Sequence, residues 1–403
     1  TAYRRQRQMC IRDRPKTAQF LSDMNKSAST GVAKATYQHP RPYVDRVNFN
    51  GTTLNMNGLK QTLNIKKVPG YENFDWGDGE APDNEYDGLY NSGSFPSGHT
   101  TFAFTQGAGL SYLLPELGPE IMTRVSEAGN NRIVLGVHYP LDIMGGHIAG
   151  QYGVATAVSD EKIAQEGAAA RAELVDYLTA QCKADNHGDT LDACITNTGA
   201  NAANGYRNDF TDEVSTRPVT DRASALAAYK ARMTYGFQAT GTTGQAPVVP
   251  DSAVRMLDNV AAFKSLDSAQ KKAVLAATEG DSGYPLDASS QGWARVNLAA
   301  AYSAKVTLSA DGKNVVKVEP GQAQASVVRE TSGNNGNNGG NGGNGNGGSN
   351  AGNTGVNNAA GRNPSGTQPL SKTGADVSGI ASAFILIAAA GVTIMMIRRK
   401  HAI

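Results

Sequence analysis

The chain has 403 residues and a formal net charge of +1 at pH 7, with a mean hydropathy of −0.39. That hydropathy excludes a protein that crosses a membrane many times, and the balanced charge disfavours a nucleic-acid binder, which needs a basic face. Much of the excess among its 46 glycines lies in one tract near the C-terminus. We therefore expect a globular body followed by a separate tail, with two or three domains in all.

The N-terminal residues 1–15 are basic, without an initiator methionine or the apolar core of a signal peptide. They resemble translated adapter sequence, and we expect them to lie outside the fold. The true N-terminus, with any secretion signal, is then expected to be missing.

The body of the chain is predicted to be mainly α, from its apolar periodicity and from prolines at helix starts. Helices are predicted over residues 16–35, 100–114, 119–135, 140–158, 161–184, 219–233, 252–264 and 267–278, and a closing helix within 283–301. Residues 305–318 predict a small β-hairpin around Asp311-Gly312. Residues 50–95 are rich in Gly, Asn and Asp and predict a long loop region. Its acidic stretch 75–87 lacks EF-hand spacing, which favours a solvated loop over a calcium site.

The three cysteines are Cys10, Cys182 and Cys194, and no Cys-x-x-Cys pair occurs, which excludes a zinc ribbon or a thioredoxin-like site. Cys182 and Cys194 enclose a short polar loop. In a secreted protein we expect them to form a disulfide, the alternative being two unrelated free thiols.

The C-terminal segment has three parts. Residues 331–369 form a Gly/Asn-rich linker that cannot bury enough apolar surface to fold, so we expect a disordered tail. Next come the pentapeptide 370–374, the uncharged run 380–397, which would be about 27 Å long as a helix, and the basic residues 398–400.

This order resembles the sortase-dependent wall-anchoring signal of Gram-positive bacteria, although Ser371 stands where that signal usually has proline. The resemblance implies that sortase cleaves between Thr373 and Gly374 and joins the protein to peptidoglycan. The protein would be secreted, membrane-anchored before sorting and wall-anchored after it. The alternative is a simple tail-anchored membrane protein, and both interpretations place residues 16–330 outside the membrane.

Three segments carry residue types suited to phosphoryl chemistry. Each is a weak signal alone, but together and in this order they are specific. The segments contribute ten positions: Lys34, Arg41, Pro42, Pro96, Ser97, Gly98, His99, Arg132, His138 and Asp142.

These segments resemble the signature of the type 2 phosphatidic acid phosphatase superfamily, which includes bacterial class A acid phosphatases, lipid phosphatases and vanadium haloperoxidases. The resemblance covers about residues 30–158, with Asn131 where the family usually has serine. It implies a helical-bundle core of the phosphatase/haloperoxidase kind. It also implies that His138 attacks phosphorus and forms a phosphohistidine, that Asp142 holds the other ring nitrogen, and that His99 protonates the leaving alcohol and later activates water.

The remaining residues of the signature suit a phosphate group. Lys34, Arg41 and Arg132 supply three cations, two of them able to bind bidentately. Ser97 and Gly98 precede a helix, whose N-terminal N–H groups favour an anion. With these cations in place of Mg²⁺, we expect no metal and no cofactor, and vanadate as an inhibitor. His39 and His147 are interpreted as packing or supporting residues.

On these grounds we divide the chain into the non-native segment 1–15, a phosphatase core 16–184, a helical extension 185–302, the hairpin 303–330, the linker 331–369 and the sorting signal 370–403. The extension is either an elaboration of the core or a separate module.

The leading interpretation is a secreted, wall-anchored, metal-independent acid phosphatase that hydrolyses small phosphomonoesters, with a bell-shaped pH profile and an optimum of roughly pH 5–6.5. The helix at 100–114 is too short and polar to span a bilayer, which disfavours an integral lipid or isoprenoid phosphate phosphatase. The sequence is also compatible with a vanadium-dependent haloperoxidase, with vanadate as cofactor, and, less readily, with a non-enzymatic wall adhesin.

Overall fold

The computed structural model describes residues 14–44, 65, 68, 86, 89, 92–202, 204–208, 218–287 and 291–331. The predictions for residues 1–13, for nearly all of the acidic stretch 75–87, for the linker beyond 331 and for the sorting signal with its apolar run lie outside these residues. Among the helices described, none is long and apolar enough to cross a membrane.

The described chain is mostly helical, which confirms the predicted fold class. Its helices are α1 Pro15–Met24, α2 Gly31–Tyr37, α3 Gly98–Leu113, α4 Gly118–Val134, α5 Pro140–Ala157, α6 Glu161–Ala184, α7 Leu191–Thr198, α8 Arg222–Thr234, α9 Asp251–Val254, α10 Ser268–Thr278 and α11 Leu298–Tyr302.

Short polar side chains start several of these helices. Each accepts a hydrogen bond from a backbone N–H of the first turn, which would otherwise lack a partner within the helix. The capping residues of α3, α6, α7, α8 and α10 are Ser97, Asp160, Thr190, Asp221 and Asp267.

Helix α3 packs against both α4 and α5, and these three helices carry the second and third sequence segments. Glycines allow the close approach of α3 and α5: a Cβ on Gly150 would lie 2.5 Å from the Cβ of Phe104 and 2.8 Å from the carbonyl oxygen of Thr101. Helix α1 packs on α6, while α8 and α11 contact α4. The second and third sequence segments therefore lie at the ends of closely packed helices.

The helix predicted over 16–35 is instead two helices, α1 and α2. The last carbonyls of α1 accept side-chain hydrogen bonds, from Gln106 to Leu21 at 2.7 Å and from Ser27 to Met24 at 2.6 Å. The turn between the helices packs closely on α5, since a Cβ on Gly153 would lie 2.7 Å from the carbonyl oxygen of Ser27. A local bond from Ser27 and a tertiary bond from Gln106 thus lie at the end of α1, where the sequence predicted that the helix continues.

The helix predicted over 252–264 is also broken, into α9 and two 3₁₀ turns, Arg255–Leu257 and Ala261–Ser265. Between these turns Asn259 donates to the carbonyl oxygen of Tyr112 on α3 at 2.9 Å, and Val260 is extended with ψ 110°. Within 283–301 only α11 is helical among the described residues, and Gly283 and Gly292, with φ values of +83° and +72°, lie outside the conformation of a right-handed helix.

The predicted hairpin is confirmed, and a third strand joins it. Strands β1 Lys305–Leu308 and β2 Val315–Glu319 are antiparallel, with Gly312 at φ +75° in the turn. Strand β3 Ser326–Arg329 pairs in parallel with β1, giving the order β2-β1-β3. Sequence reasoning missed β3, whose partner is not its neighbour in the chain.

Two further predictions concern the cysteine pair and the N-terminal segment. Cys182 and Cys194 form a disulfide that joins the end of α6 to α7, with their Cα atoms 5.8 Å apart. Arg14 and Pro15 fell in the segment expected outside the fold, yet Pro15 begins α1 and the Arg14 guanidinium carbon lies 3.8 Å from the centre of the Tyr177 ring.

Candidate active site

His138 lies where the three sequence segments meet. It occupies the connection between α4 and α5 and is only 2% exposed. Arg41, from the segment after α2, places its Nη1 atom 3.0 Å from Nε2 of His138. The charges of Arg41, Arg132, Lys34 and His99 all act on this ring. The fold thus gathers around one histidine the basic residues that the sequence had singled out.

The other ring nitrogen of His138 faces Asp142. Nδ1 lies 3.1 Å from Oδ2 of Asp142, and the same oxygen accepts the backbone N–H of Tyr139 at 2.8 Å. Asp142 is in the first turn of α5, which starts at Pro140. A carboxylate is favoured at this end of a helix and bonds to a free N–H there. The start of α5 therefore fixes the position of the carboxylate against the ring.

The two contacts of His138 define its tautomer. An arginine guanidinium only donates hydrogen bonds, so Nε2 of His138 accepts from Arg41. In the neutral ring the proton is then on Nδ1 and is donated to Asp142. The lone pair of Nε2 points into the cluster of cations.

The electrostatics of the pair agree with this tautomer. Burial, followed by the charges of Arg41, Arg132 and Lys34, holds the pKa of His138 well below its usual value. Burial raises the pKa of Asp142 to about 6, against the opposing effects of the Tyr139 N–H and of Ser94. Above about pH 6 the pair is therefore a neutral imidazole beside a carboxylate.

Arg41 is held in place by backbone carbonyl oxygens. Its Nε atom donates to Leu89 at 3.1 Å and to Ser92 at 3.0 Å, and its Nη1 donates to Val137 at 3.0 Å. Lys34 donates from Nζ to the carbonyl oxygen of Gly93. These partners orient the two cations without adding a formal negative charge.

The second segment caps α3 and ties it to α5. The Ser97 hydroxyl oxygen accepts from the Thr100 N–H at 3.2 Å, and the Ser97 N–H donates to the carbonyl oxygen of Asp142 at 2.9 Å. This N–H is therefore engaged within the fold, while Gly98 and His99 open the first turn of α3 and are partly exposed. Arg132 lies in the last turn of α4 and is buried. The phosphate-binding roles of these residues stay predictions.

Comparison with known proteins shows a family for this part of the chain. Residues 18–161 match the model of the PAP2 superfamily. The chain carries a PAP2 superfamily domain. All ten positions of the three sequence segments lie inside this PAP2 domain.

Curated relatives of this chain include bacterial acid phosphatases. An acid phosphatase of Zymomonas mobilis is 34% identical over 88 residues, or 22% of this chain and 33% of that protein. A non-specific acid phosphatase of Providencia stuartii is 27% identical over 158 residues, or 38% of this chain and 52% of its own. A non-specific acid phosphatase of Salmonella typhi is 28% identical over 142 residues, which cover 34% of this chain and 45% of that protein. The chain thus spans from a third to about half of the length of these relatives.

His39 and Ser94 lie beside the site, and the sequence did not predict that they contact each other there. Nδ1 of His39 lies 2.9 Å from Oγ of Ser94, and Oγ of Ser94 lies 3.4 Å from Oδ1 of Asp142. Sequence reasoning treated His39 as a packing or supporting residue and did not single out Ser94. The signal that could have found Ser94 was its place two residues before Pro96, where the second segment begins.

His147 lies in the core of the PAP2 domain. Its ring stacks on Phe104 with centroids 4.1 Å apart, and its Nε2 atom lies 2.8 Å from the Tyr229 hydroxyl. In the part of the chain that the structure describes, no group of three or more His, Cys, Asp or Glu is arranged to hold a metal ion.

Proposed function

We propose that this protein is a phosphoric monoester hydrolase of the acid phosphatase type. The observation that carries the proposal is the environment of His138: a buried, neutral imidazole whose Nε2 lone pair faces Arg41 at 3.0 Å, with Asp142 on its other nitrogen. An uncharged nucleophile inside a cluster of cations suits attack on a phosphate dianion. The acid phosphatase names of the relatives support the same chemistry.

The proposed reaction has two steps. In the first, Nε2 of His138 forms a bond to phosphorus as the ester P–O bond breaks, and His99 gives its proton to the leaving alcohol oxygen. In the second, His99 takes a proton from water, the water oxygen bonds to phosphorus, and the N–P bond breaks to release phosphate. Asp142 stabilises the positive charge that develops on the His138 ring in the first step.

Three cations neutralise the substrate in this proposal. Arg41 exchanges its bond to Nε2 of His138 for a phosphate oxygen, which exposes the lone pair when the substrate is bound. Lys34 and Arg132 hold the other oxygens, so the charge of the transition state is stabilised by side chains. We therefore propose that turnover needs no metal or cofactor and that vanadate inhibits it.

The test is to trap the covalent intermediate. Quenching in alkaline detergent during turnover of a ³²P-labelled phosphomonoester, with EDTA present, should leave label on the unaltered protein and none on the His138→Ala variant, because the N–P bond of a phosphohistidine survives base but not acid. His187→Ala, at a histidine in the loop between α6 and α7, is the matched control and should be labelled normally. A labelled His138→Ala protein contradicts the nucleophile assignment. If EDTA abolishes turnover and a divalent metal restores it, the metal-independent mechanism is wrong.

We also propose that the protein is secreted and joined to peptidoglycan at Thr373, because residues 370–400 have the order of a sorting signal. The segment lies outside the described residues. In a Gram-positive host, with a signal peptide added, muramidase treatment should release the full protein from the wall fraction. Thr373→Ala should move it to the membrane fraction, whereas Thr354→Ala in the linker should not. Equal fractionation of both variants contradicts anchoring.

A further inference from the structure

We propose that Ser94 and His39 are positioning residues, which hold the carboxylate of Asp142 and through it the ring of His138. This proposal rests on the proposed function, and its experiment includes a readout that does not need turnover.

Both oxygens of the Asp142 carboxylate have partners. Oδ2 accepts from His138 and from the Tyr139 N–H, while Oδ1 faces the Ser94 hydroxyl at 3.4 Å. That separation is long for an O–H···O bond, and such bonds often shorten when substrate binds. Ser94 is 0% exposed, so water does not reach its hydroxyl from the surface.

The proton on Ser94 has a defined direction. Serine has one hydroxyl proton, and donating it to Asp142 leaves the oxygen free to accept from Nδ1 of His39, 2.9 Å away. The donors then run from His39 through Ser94 to Oδ1 of Asp142. On the other side they run from Arg41 through the His138 ring to Oδ2. The carboxylate thus lies at the meeting point of two chains of donors.

The backbone holds His39 and Ser94 together as well. The Ser94 N–H donates to the carbonyl oxygen of His39 at 2.7 Å. The His39 ring packs edge-on against the ring of Tyr139, with centroids 5.0 Å apart, and the N–H of Tyr139 bonds to Asp142. The segment after α2, the segment before α3 and the start of α5 therefore meet at this carboxylate.

The groups around Asp142 determine how far its pKa should change when Ser94 is replaced. His138 faces it from its own segment, Arg41 and Lys34 from the first segment, and His39 through Ser94. Burial raises the pKa of Asp142, and the Ser94 hydrogen bond acts in the opposite direction. Loss of that bond should raise the pKa of Asp142 further, so that it protonates at a higher pH.

The experiment compares Ser94→Ala and His39→Phe with the conservative variants Ser94→Thr and His39→Asn, which keep a donor in place. Ser94→Ala should lower kcat roughly 10-fold, the order of effect of one hydrogen bond to a charged group. KM should change little, because Lys34, Arg41 and Arg132 are untouched. The acid limb of kcat/KM should move to higher pH, and Ser94→Thr and His39→Asn should restore much of both effects.

Thr101→Val is the matched control, since it removes another buried hydroxyl near the start of α3, one that donates to the Ser97 carbonyl oxygen. It should leave the pH profile unchanged. A Ser94→Ala variant with the parent's kcat and acid limb, or with only the loss of thermal stability seen in Thr101→Val, overturns the proposal.

Failure of the proposed function is distinguishable from failure of this inference. The ¹⁵N imidazole resonances of His138 report the proton on Nδ1 and follow the ionisation of Asp142 whether or not the protein turns over a phosphoester. If their titration midpoint is the same in the parent and in Ser94→Ala, the positioning role is wrong. If it moves to higher pH while no phosphoenzyme forms in either protein, the positioning role holds and the proposed function fails.

Discussion

His138 and Asp142 illustrate how burial acts with opposite sign on a base and on an acid. Removal from water disfavours the charged form of each, which lowers the pKa of the imidazole and raises that of the carboxyl. The three neighbouring cations lower the pKa of His138 further. The sequence identified the three cations, whereas the burial of both groups became known only from the fold.

This pair predicts which group forms the acid limb of the pH profile. With the pKa of Asp142 at about 6 and that of His138 well below its usual value, the carboxylate protonates first as the pH falls. Protonated Asp142 no longer stabilises the charged ring. We therefore expect kcat/KM in the free enzyme to fall about 10-fold per pH unit below about pH 6. This places the optimum at the upper end of the range expected from the sequence.

The measurement is kcat/KM for one phosphomonoester from about pH 4 to about pH 9. Asp142→Asn should lower the rate and remove the limb near pH 6, while His187→Gln should retain it. A parent enzyme whose kcat/KM stays level down to about pH 4.5 would exclude Asp142 as the source of the limb.

At the scale of the elements, close helix packing aligns the segments. The Ser97 N–H bonds to the carbonyl oxygen of Asp142, and this bond joins the start of α3 to the start of α5. It depends on the separation of the two helices, which Gly150 keeps small. A local pattern predicts each helix, but the residue needed at the crossing depends on which helix lies opposite.

We expect Gly150→Ala to destabilise the protein, although alanine is the better helix former. The added methyl group would overlap the Cβ of Phe104 and the carbonyl oxygen of Thr101, and a backbone atom cannot turn away as a flexible side chain can. Overpacking of this kind costs about 1–3 kcal/mol, against a gain of up to about 1 kcal/mol in helix propensity.

Urea unfolding of Gly150→Ala and Gly31→Ala tests this, because at Gly31 the nearest atom to an added Cβ is 3.7 Å away. Gly31→Ala should leave the free energy of unfolding nearly unchanged. Equal midpoints for Gly150→Ala and the parent would show that α3 and α5 can separate without cost.

At the scale of the whole molecule, His147 connects three helices through a buried polar contact. On α5, it stacks on Phe104 of α3 and bonds to Tyr229 of α8, with Gln151 one turn further along its own helix. Burial lowers the pKa of His147 to about 3. In the folded protein this ring therefore stays neutral down to about pH 3, whereas in the unfolded chain it takes up a proton below pH 6.5.

This contact predicts a loss of stability in acid. Because the folded-state pKa of His147 lies below its unfolded value of 6.5, its contribution is present above pH 6.5 and is lost as the pH falls toward 3. The slope for one proton is about 1.4 kcal/mol per pH unit. Asp142 and Glu279, whose pKa values are raised to about 6 and about 7, act in the opposite direction between pH 7 and 4, so the parent alone does not isolate the effect.

The comparison is therefore between variants. The free energy of unfolding is followed by urea denaturation between about pH 6 and about pH 4, and its slope against pH should be lower in His147→Gln than in the parent by the equivalent of about one proton. His187→Gln should have the parent's slope. Parallel slopes for His147→Gln and the parent would mean that His147 binds its proton as readily in the folded as in the unfolded state.

The sequence by itself determined the features that depend on near neighbours in the chain. Proline and capping residues mark helix starts such as Pro140 and Ser97, and Asp311-Gly312 marks the hairpin turn. The three segments, through the family that they resemble, predicted that cations and a carboxylate gather at His138, and the fold places Arg41 and Asp142 against its ring.

Only the tertiary structure decided the features that join distant parts of the chain. His39 meets Ser94 across 55 residues, β3 pairs with β1 rather than with β2, and Asn259 holds a turn against α3 where the sequence predicted a helix. A periodic pattern shows that one face of a helix is buried, but it does not show which residues cover that face. Burial is also the main cause of the shifted pKa values of His138, Asp142 and His147, so these values could not be predicted from the sequence. The residues proposed to react could therefore be named from the sequence, whereas their protonation states required the fold.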